Sequence, residues 1–329
     1  MTRHFVFCLF SFLLPGCFIL RSKTAERIET IAKPVTGFTF IFEFKELKIT
    51  PLDGSSRHFT ALKVEFRSDV RTVPANDFVQ GICYLPKFQK GKRPGVLVYP
   101  ILGGGDPISQ GMGKALAKAG MVALVLKQKK EIFKKEKLDL KFTDSVMRQA
   151  VVDGRKALTW LQQRPEVDAD SLGCVGISMG GMLACVLHSI DDRVKASVWL
   201  LAGGDLVDLM AHTREPSIRR VRERFFEQSG LTEESFKEKY RGAVLDPLST
   251  ADRIHPSKVL MVNATFDRVV PRRNRLLLWD AAGRPARRLV PLGHFSSLLV
   301  LPMAKRWTVS FLREQLWGQI SQSVHRQSK

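Results

Sequence analysis

The chain has 329 residues, of which 44% are hydrophobic and 26% charged, so it can bury a large core and is not disordered, fibrous or low-complexity. Its five cysteines are too few for a disulfide scaffold, and no paired-cysteine or Cys/His cluster indicates a structural zinc site. A net charge of +20 predicts attraction to polyanions, with nucleic acid and an anionic lipid surface as the two candidates.

The first twenty residues have the layout of a secretory signal. Arg3 gives a basic start, residues 5–14 are apolar, and a Pro-Gly pair precedes Cys17. Residues 14–17 (LPGC) also resemble a bacterial lipoprotein box, in which the cysteine becomes the lipidated N-terminus. We therefore predict a signal peptide over residues 1–16 and lipidation at Cys17, which would place the protein in the cell envelope. Soluble export, an uncleaved anchor and a non-targeting start are the alternatives.

A polar tether is expected over residues 17–35, followed by one α/β domain over 36–320 and a polar tail over 321–329. Alternating apolar residues first predict antiparallel strands with one wet face. Continuous apolar strands then alternate with amphipathic helices, which predicts a mainly parallel sheet covered on both faces. The strands are expected at 38–44, 59–66, 78–85, 95–99, 121–126, 172–177, 196–201, 259–264 and 286–290, and the helices at 107–119, 143–164 (capped by Thr143), 179–190 and 304–317.

Residues 206–250 interrupt this alternation. They contain two helix-like stretches, at 215–228 and 232–241, and no strand pattern. An insert at this point is predicted to be a lid over a site at the sheet edge, and a structural decoration is the alternative.

Residues 176–180 (GISMG) fit the G-x-S-x-G pattern of a nucleophile elbow, a sharp turn that lifts the serine hydroxyl above the sheet edge. A serine needs a base, and the base needs an orienting acid. His294 follows the last predicted strand, so it lies at the same edge as Ser178 and is the expected base. Asp267 comes directly after the preceding predicted strand, 259–264, and is the expected acid. Turn capping is the other interpretation of Asp267, with Asp205 then the substitute acid.

An oxyanion hole is expected to use the backbone N–H of Met179, at the positive end of its helix. A second N–H is expected from Leu102, in the glycine-rich turn after strand 95–99, with Ile101 and Gly103 as alternatives. The glycines match no nucleotide-binding pattern, so no cofactor is predicted, and no metal site is expected.

Residues 78–317 resemble the α/β-hydrolase superfamily, closest to its dienelactone hydrolase-like and acyl-esterase branches. The resemblance implies a mainly parallel central sheet flanked by helices, with N-terminal antiparallel strands and a small helical insert. It also implies a Ser178–His294–Asp267 triad and an acyl-enzyme intermediate. Serine at 178 differs from the cysteine of the dienelactone hydrolases proper and from the aspartate of dehalogenases. The similar segments are 81–86 (GICYLP), 94–100 (PGVLVYP), 167–170 (VDAD), 176–181 and those around Asp267 and His294.

The predicted function is hydrolysis of a small-molecule or lipid-like carboxylic ester. Acyl transfer or thioester hydrolysis on the same triad is an alternative, as is a catalytically silent membrane-associated binding protein. Basic clusters at 127–141, 214–224 and 268–288 indicate either a solvated face or docking on an anionic membrane surface. Nucleic acid is not expected, because no binding motif or aromatic platform accompanies the charge.

Overall fold

The computed structural model describes residues 43–44, 46–53, 55–70, 77–87, 91–101, 106–127 and 138–327, with side chains described as far as residue 317 and not at 106. The predicted signal peptide, the lipidation at Cys17, the tether and most of the strand expected at 38–44 lie outside these ranges. Leu102 also lies outside them, together with the three glycines that follow it. Those expectations therefore stay predictions.

The described strands form one mixed sheet. Its order is β1-β2-β3-β5-β4-β6-β7-β8-β9. The three pairings from β1 to β5 are antiparallel, and the five pairings from β5 to β9 are parallel. The strands are β1 Lys48–Leu52, β2 Phe59–Arg67, β3 Phe78–Pro86, β4 Arg93–Tyr99, β5 Val122–Leu126, β6 Val167–Ile177, β7 Val194–Leu200, β8 Val259–Ala264 and β9 Ala286–Val290.

Helices cover both faces of this sheet, which is why β4, β5 and β8 are buried along their whole length. One apolar cluster packs Leu158 and Leu183 beneath one layer of helices, and a second packs Leu116 and Leu312 beneath the other. The fold class predicted from the sequence is thus confirmed. The helices are α1 Asp106–Lys118, α2 Leu140–Gln162, α3 Met179–Ile190, α4 Leu206–His212, α5 Pro216–Ser229, α6 Glu233–Lys239, α7 Arg272–Ala281 and α8 Leu301–Gln327.

One local expectation was wrong, and one strand was not expected. Helix α2 begins at Leu140, so Thr143 is inside it, and Asp139 is the cap that accepts the Phe142 N–H at 2.8 Å. Strand β1 was not predicted, because its exposed edge position leaves no apolar alternation to detect.

The segment 206–250 contains three helices, α4 to α6, instead of the two expected. Helices α5 and α6 pack through aromatic side chains, with the Phe226 and Phe236 rings 5.4 Å apart. Asp208 on α4 pairs with Lys237 of α6 within the segment at 3.3 Å, and with Arg273 of α7, outside the segment, at 2.8 Å. The insert is therefore tied to the domain by charge pairs as well as by apolar packing.

No helix within the described ranges is long and apolar enough to cross a membrane.

Candidate active site

The carboxyl ends of the parallel strands bring the sequence-predicted residues to one edge of the sheet. Ser178 directly follows β6, Asp267 lies three residues beyond β8, and His294 lies four residues beyond β9. These strands run parallel, so their carboxyl ends meet at the same edge although the residues are far apart in sequence. Parallel α/β sheets place their sites at this edge.

Ser178 occupies a strained turn. Its φ of 57° and ψ of −122° lie outside the ordinary regions for a residue with a side chain. The turn needs small neighbours: a Cβ at Gly176 would collide with the Gly180 backbone, and one at Gly180 would lie 2.5 Å from the Pro100 carbonyl oxygen. The Ser178 N–H donates to the Leu200 carbonyl at 2.7 Å, which holds the turn against β7.

A hydrogen-bonded chain links the three predicted residues. His294 Nε2 lies 3.1 Å from Ser178 Oγ, and its Nδ1 lies 2.8 Å from Asp267 Oδ2. The Asp267 side chain is fully buried, whereas the His294 side chain keeps a tenth of its surface exposed. This is the distance and connectivity that a serine nucleophile, its base and an orienting acid require.

The turn that carries Asp267 is held on both sides of the carboxylate. Its other oxygen, Oδ1, accepts the N–H groups of Val269 at 2.9 Å and Val270 at 2.8 Å. The buried Arg275 of α7 donates to the carbonyl oxygens of Ala264, Thr265 and Val270, which flank the acid in sequence. Arg275 stands in an arginine-rich run, and nothing in the sequence distinguishes it from its exposed neighbours.

Asp205, the alternative acid, is engaged elsewhere. It caps α4 by accepting the Asp208 N–H, and its carboxylate pairs with Arg273 at 2.7 Å. In this geometry the carboxylate that hydrogen-bonds to His294 belongs to Asp267 and not to Asp205.

Met179 is the first residue of α3, so its backbone N–H is one of the N–H groups of the first helical turn, which have no acceptor within the helix. The partial positive charge of the helix start favours a negative oxygen beside Ser178. The second donor, expected from Leu102, stays a prediction because that residue is outside the described ranges. Ile101, just before it, lines the cavity described next.

A cavity of about 360 Å³ opens beside Ser178 and His294. Its wall is mainly apolar, and the insert supplies a large part of it through Leu206, Leu209 and Met210 of α4 and Ile218 of α5. The polar residues in the lining are Thr143, Ser178, Thr213, Glu215, Ser217 and His294.

No cluster of three or more His, Cys, Asp or Glu side chains in the described part of the chain is arranged to hold a metal ion. The cysteines Cys83, Cys174 and Cys185 are buried, and burial raises the pKa of each thiol. They are therefore core residues and not nucleophiles.

Two protein families match parts of the chain. The dienelactone hydrolase family matches residues 79–207, and the family described as BAAT / Acyl-CoA thioester hydrolase C terminal matches residues 155–267. YtaP of Bacillus subtilis (strain 168) is 37% identical over 79 residues, which are 24% of this chain and 25% of YtaP. A Bradyrhizobium protein named "Probable 2-oxo-3-(5-oxofuran-2-ylidene)propanoate lactonase" is 31% identical over 113 residues, 33% of this chain and 45% of its own. The matches span less than half of either relative.

Solved structures match over most of their length. Acetyl xylan esterase 1 from Thermoanaerobacterium sp. JW/SL YS485 has a TM-score of 0.62 at 16% identity, covering 88% of this chain and 92% of its own. The acetyl xylan esterase from Paenibacillus sp. R4 has a TM-score of 0.64 at 18% identity, with 82% and 89% covered. The alpha/beta hydrolase GrgF from Penicillium sp. sh18 has a TM-score of 0.56 at 15% identity, with 78% and 99% covered. At these identities the similarity establishes the fold.

Proposed function

Because the chain belongs to the α/β-hydrolase superfamily and resembles its dienelactone hydrolase branch, we propose that it is a serine hydrolase that cleaves carboxylic esters through an acyl-enzyme intermediate. The observation that carries the proposal is the hydrogen-bonded chain from Ser178 Oγ through His294 to Asp267. It joins a nucleophile, a base and an acid at the mouth of a cavity that can hold a substrate.

The proposal gives each group a role that these distances support. His294 Nε2 takes the proton of Ser178 Oγ as that oxygen attacks the ester carbonyl, and then delivers the proton to the departing alkoxide. Asp267 accepts the Nδ1–H, which fixes the tautomer and orientation of the ring and stabilises its cation. The Met179 N–H donates to the developing oxyanion, a contribution of about 100-fold or more in rate for one such donor. Water then attacks the acyl-enzyme, with His294 again as the base.

The cavity favours an apolar acyl group. Its 360 Å³ lies at the lower end of the roughly 300–1,000 Å³ typical of small-molecule sites. Since its wall is mainly aliphatic, it stabilises a hydrocarbon chain better than a polar group. We therefore assign the cavity to the acyl side of the ester and expect chains longer than acetyl to be preferred.

Thioester hydrolysis is the second candidate. The match of residues 155–267 to the acyl-CoA thioester hydrolase family favours it, and the same three residues would perform it. Acyl transfer differs only in the acceptor that resolves the acyl-enzyme. Three assays that use the same acyl chain separate these reactions. Nitrophenyl esters report ester hydrolysis, acyl-CoA thioesters report thioester hydrolysis, and added alcohol acceptors report acyl transfer.

Labelling with a fluorophosphonate tests the nucleophile. We expect labelling and turnover of nitrophenyl esters in the wild type, and loss of both in Ser178→Ala. Ser217 is the matched control, because it lines the same cavity and Ser217→Ala should label normally. A folded wild type that neither labels nor turns over any ester would refute the proposal and leave a binding protein.

We also propose, from the leader sequence alone, that the protein is exported and lipid-anchored at Cys17. Metabolic labelling with a fatty acid should mark the wild type and not Cys17→Ser. Equal labelling of both, or a mature N-terminus elsewhere, would contradict this assignment.

A further inference from the structure

The connection between α4 and α5 is hydrogen-bonded to the turn that carries Asp267. Thr213 Oγ1 donates at 2.6 Å to the carbonyl oxygen of Val269, which is 56 residues away in sequence. The Arg214 N–H donates at 2.9 Å to the carbonyl oxygen of Arg268. Arg268 and Val269 are the two residues that directly follow Asp267. The insert therefore contacts the acid turn through the backbone carbonyls next to the acid itself.

Val269 connects this contact to the carboxylate. Its carbonyl accepts from Thr213, and its N–H donates to Asp267 Oδ1 at 2.9 Å. The other carboxylate oxygen, Oδ2, lies 2.8 Å from His294 Nδ1. A shift of the Thr213 hydroxyl would therefore displace the backbone that orients the acid. A displaced carboxylate would no longer hold the imidazole in place, because the acid is the group that orients the base.

Thr213 is fully buried, and each of its polar groups has a partner. Its N–H donates to the Leu209 carbonyl at 2.7 Å, and its carbonyl accepts from Arg222 Nη1 at 3.0 Å. Its hydroxyl, which donates to Val269, also accepts the Glu215 N–H at 3.1 Å. Helix α4 and the start of α5 are thus joined through Thr213, which also holds them to the acid turn.

The same contact forms part of the cavity wall. Thr213, Val269 and Val270 all line the cavity beside Ser178, so a group that fills the cavity packs against the residues that hold the acid. Wall formation alone does not explain a hydroxyl here, because the wall is mainly apolar and valine has nearly the same shape. Burying a hydroxyl is unfavourable unless it is hydrogen-bonded, so the bonds that it makes give this position its role.

We propose that Thr213 is a positioning residue that links the insert to the triad acid, so that the insert helps to orient Asp267 as well as forming the wall of the cavity. The proposal rests on the proposed function, since it assigns a further residue to the same reaction. The alternative is that Thr213 serves only as a wall residue, for which shape matters and the hydroxyl does not.

Two substitutions at Thr213 separate the hydroxyl from the shape. Thr213→Val keeps the shape and removes the hydroxyl, whereas Thr213→Ser keeps the hydroxyl and removes a methyl group. With a nitrophenyl ester as substrate, Thr213→Val should lower kcat about tenfold or more and leave KM close to that of the wild type. Thr213→Ser should retain a kcat near that of the wild type. A wild-type kcat in Thr213→Val, or an equal fall in both variants, would overturn the proposal.

Proton NMR of the free protein reads the triad without any substrate. The His294 Nδ1 proton, in a charge-assisted hydrogen bond to Asp267, should give a strongly deshielded resonance that His294→Gln removes. We expect Thr213→Val to weaken or abolish this resonance and Thr213→Ser to keep it. An unchanged resonance in Thr213→Val would overturn the link. A wild type that shows the resonance but hydrolyses no ester would count against the proposed function alone, and the comparison of the two variants would still test the link.

Arg222→Gln disturbs the link from the insert side and decides the matter where Thr213→Val does not fold. Arg222 Nη1 donates to the Met210 carbonyl at 3.2 Å as well as to that of Thr213, so its loss should loosen the connection and lower kcat about threefold or more. Arg219→Gln is the matched control, because Arg219 is exposed and pairs with Glu223 of its own helix at 3.6 Å. A wild-type kcat in Arg222→Gln, or an equal fall in Arg219→Gln, would overturn the proposal.

Discussion

Arg275 lies beneath the turn that carries Asp267 and is 2% exposed. Its guanidinium donates to the carbonyl oxygens of Ala264 and Thr265 before the acid and of Val270 after it. Burial lowers the pKa of Arg275, and the negative charge of Asp267 opposes that shift. The planar guanidinium, through these three hydrogen bonds, therefore fixes the backbone on both sides of the carboxylate. This makes Arg275 a positioning residue for the triad acid.

We predict that Arg275→Lys lowers kcat about 100-fold with little change in KM. An ammonium cannot make all three of these hydrogen bonds in the same plane, so Asp267 would be displaced and would misorient His294. Steady-state kinetics on a nitrophenyl ester measures the split between kcat and KM. Arg284→Lys is the control. Arg284 lies just beyond α7 and pairs with Asp280 of that helix at 2.7 Å. A rise in KM at constant kcat would show that Arg275 acts on substrate binding instead.

The elbow predicts a second result. In Gly180→Ala the added methyl would meet the Pro100 carbonyl oxygen at 2.5 Å and the Tyr99 carbonyl oxygen at 2.9 Å, and both are backbone atoms that cannot move freely. We expect a loss of about 1–3 kcal/mol in the free energy of unfolding and a large fall in the rate of fluorophosphonate labelling. Gly293→Ala is the control, because its nearest atoms lie at 3.5 Å. Unchanged labelling in Gly180→Ala would mean that the elbow is not under steric constraint.

Side chains of the segment 206–250 should determine which acyl-chain lengths the enzyme prefers. Met210 is almost fully buried and lines the cavity, so Met210→Trp should fill space that a long acyl chain would occupy. In the wild type each methylene that enters the cavity should raise kcat/KM about fourfold until the space is full. We expect Met210→Trp to lower kcat/KM for an octanoyl ester at least tenfold and to leave the acetyl ester within about threefold. Parallel loss on both esters would show that the cavity does not hold the acyl chain.

His188 predicts the acid stability of the protein. Its Nδ1 lies 2.7 Å from Ser197 Oγ, and burial, with smaller contributions from Lys195 and Lys258, lowers its pKa from 6.5 to about 4. Between those pH values the unfolded chain binds more protons at this site than the folded protein does. The free energy of unfolding therefore falls as pH drops through this window, by about 3 kcal/mol at most.

Urea unfolding at pH 4 to 7 measures this contribution. His188→Gln should flatten the pH dependence, because glutamine cannot take up the proton. His255→Gln is the control, since His255 is exposed and bonds only locally to Ser257. An unchanged slope in His188→Gln would assign the acid sensitivity to other groups.

Much of the architecture is determined by local pattern. The strand Val259–Ala264 has the bounds that its apolar run predicts, the strand Ala286–Val290 has the bounds expected for it, and the helix after Ser178 begins and ends as expected. Side-chain periodicity and turn chemistry act over a few residues, so they can be read without knowledge of the fold. The exposed strand β1 and the Asp139 cap were missed because neither has an apolar signal.

By itself the sequence determined the order of the strands from Phe59 to Val290, the serine elbow and the chain order of Ser178, Asp267 and His294, since each depends on neighbours along the chain. Only the tertiary structure decided that Asp267, and not Asp205, contacts His294, because that contact spans 27 residues and depends on where two strands end. It alone buried Arg275 within an arginine-rich run. These features arise from packing between segments that are distant in sequence. The amino-acid pattern within one segment does not specify which other segments it contacts.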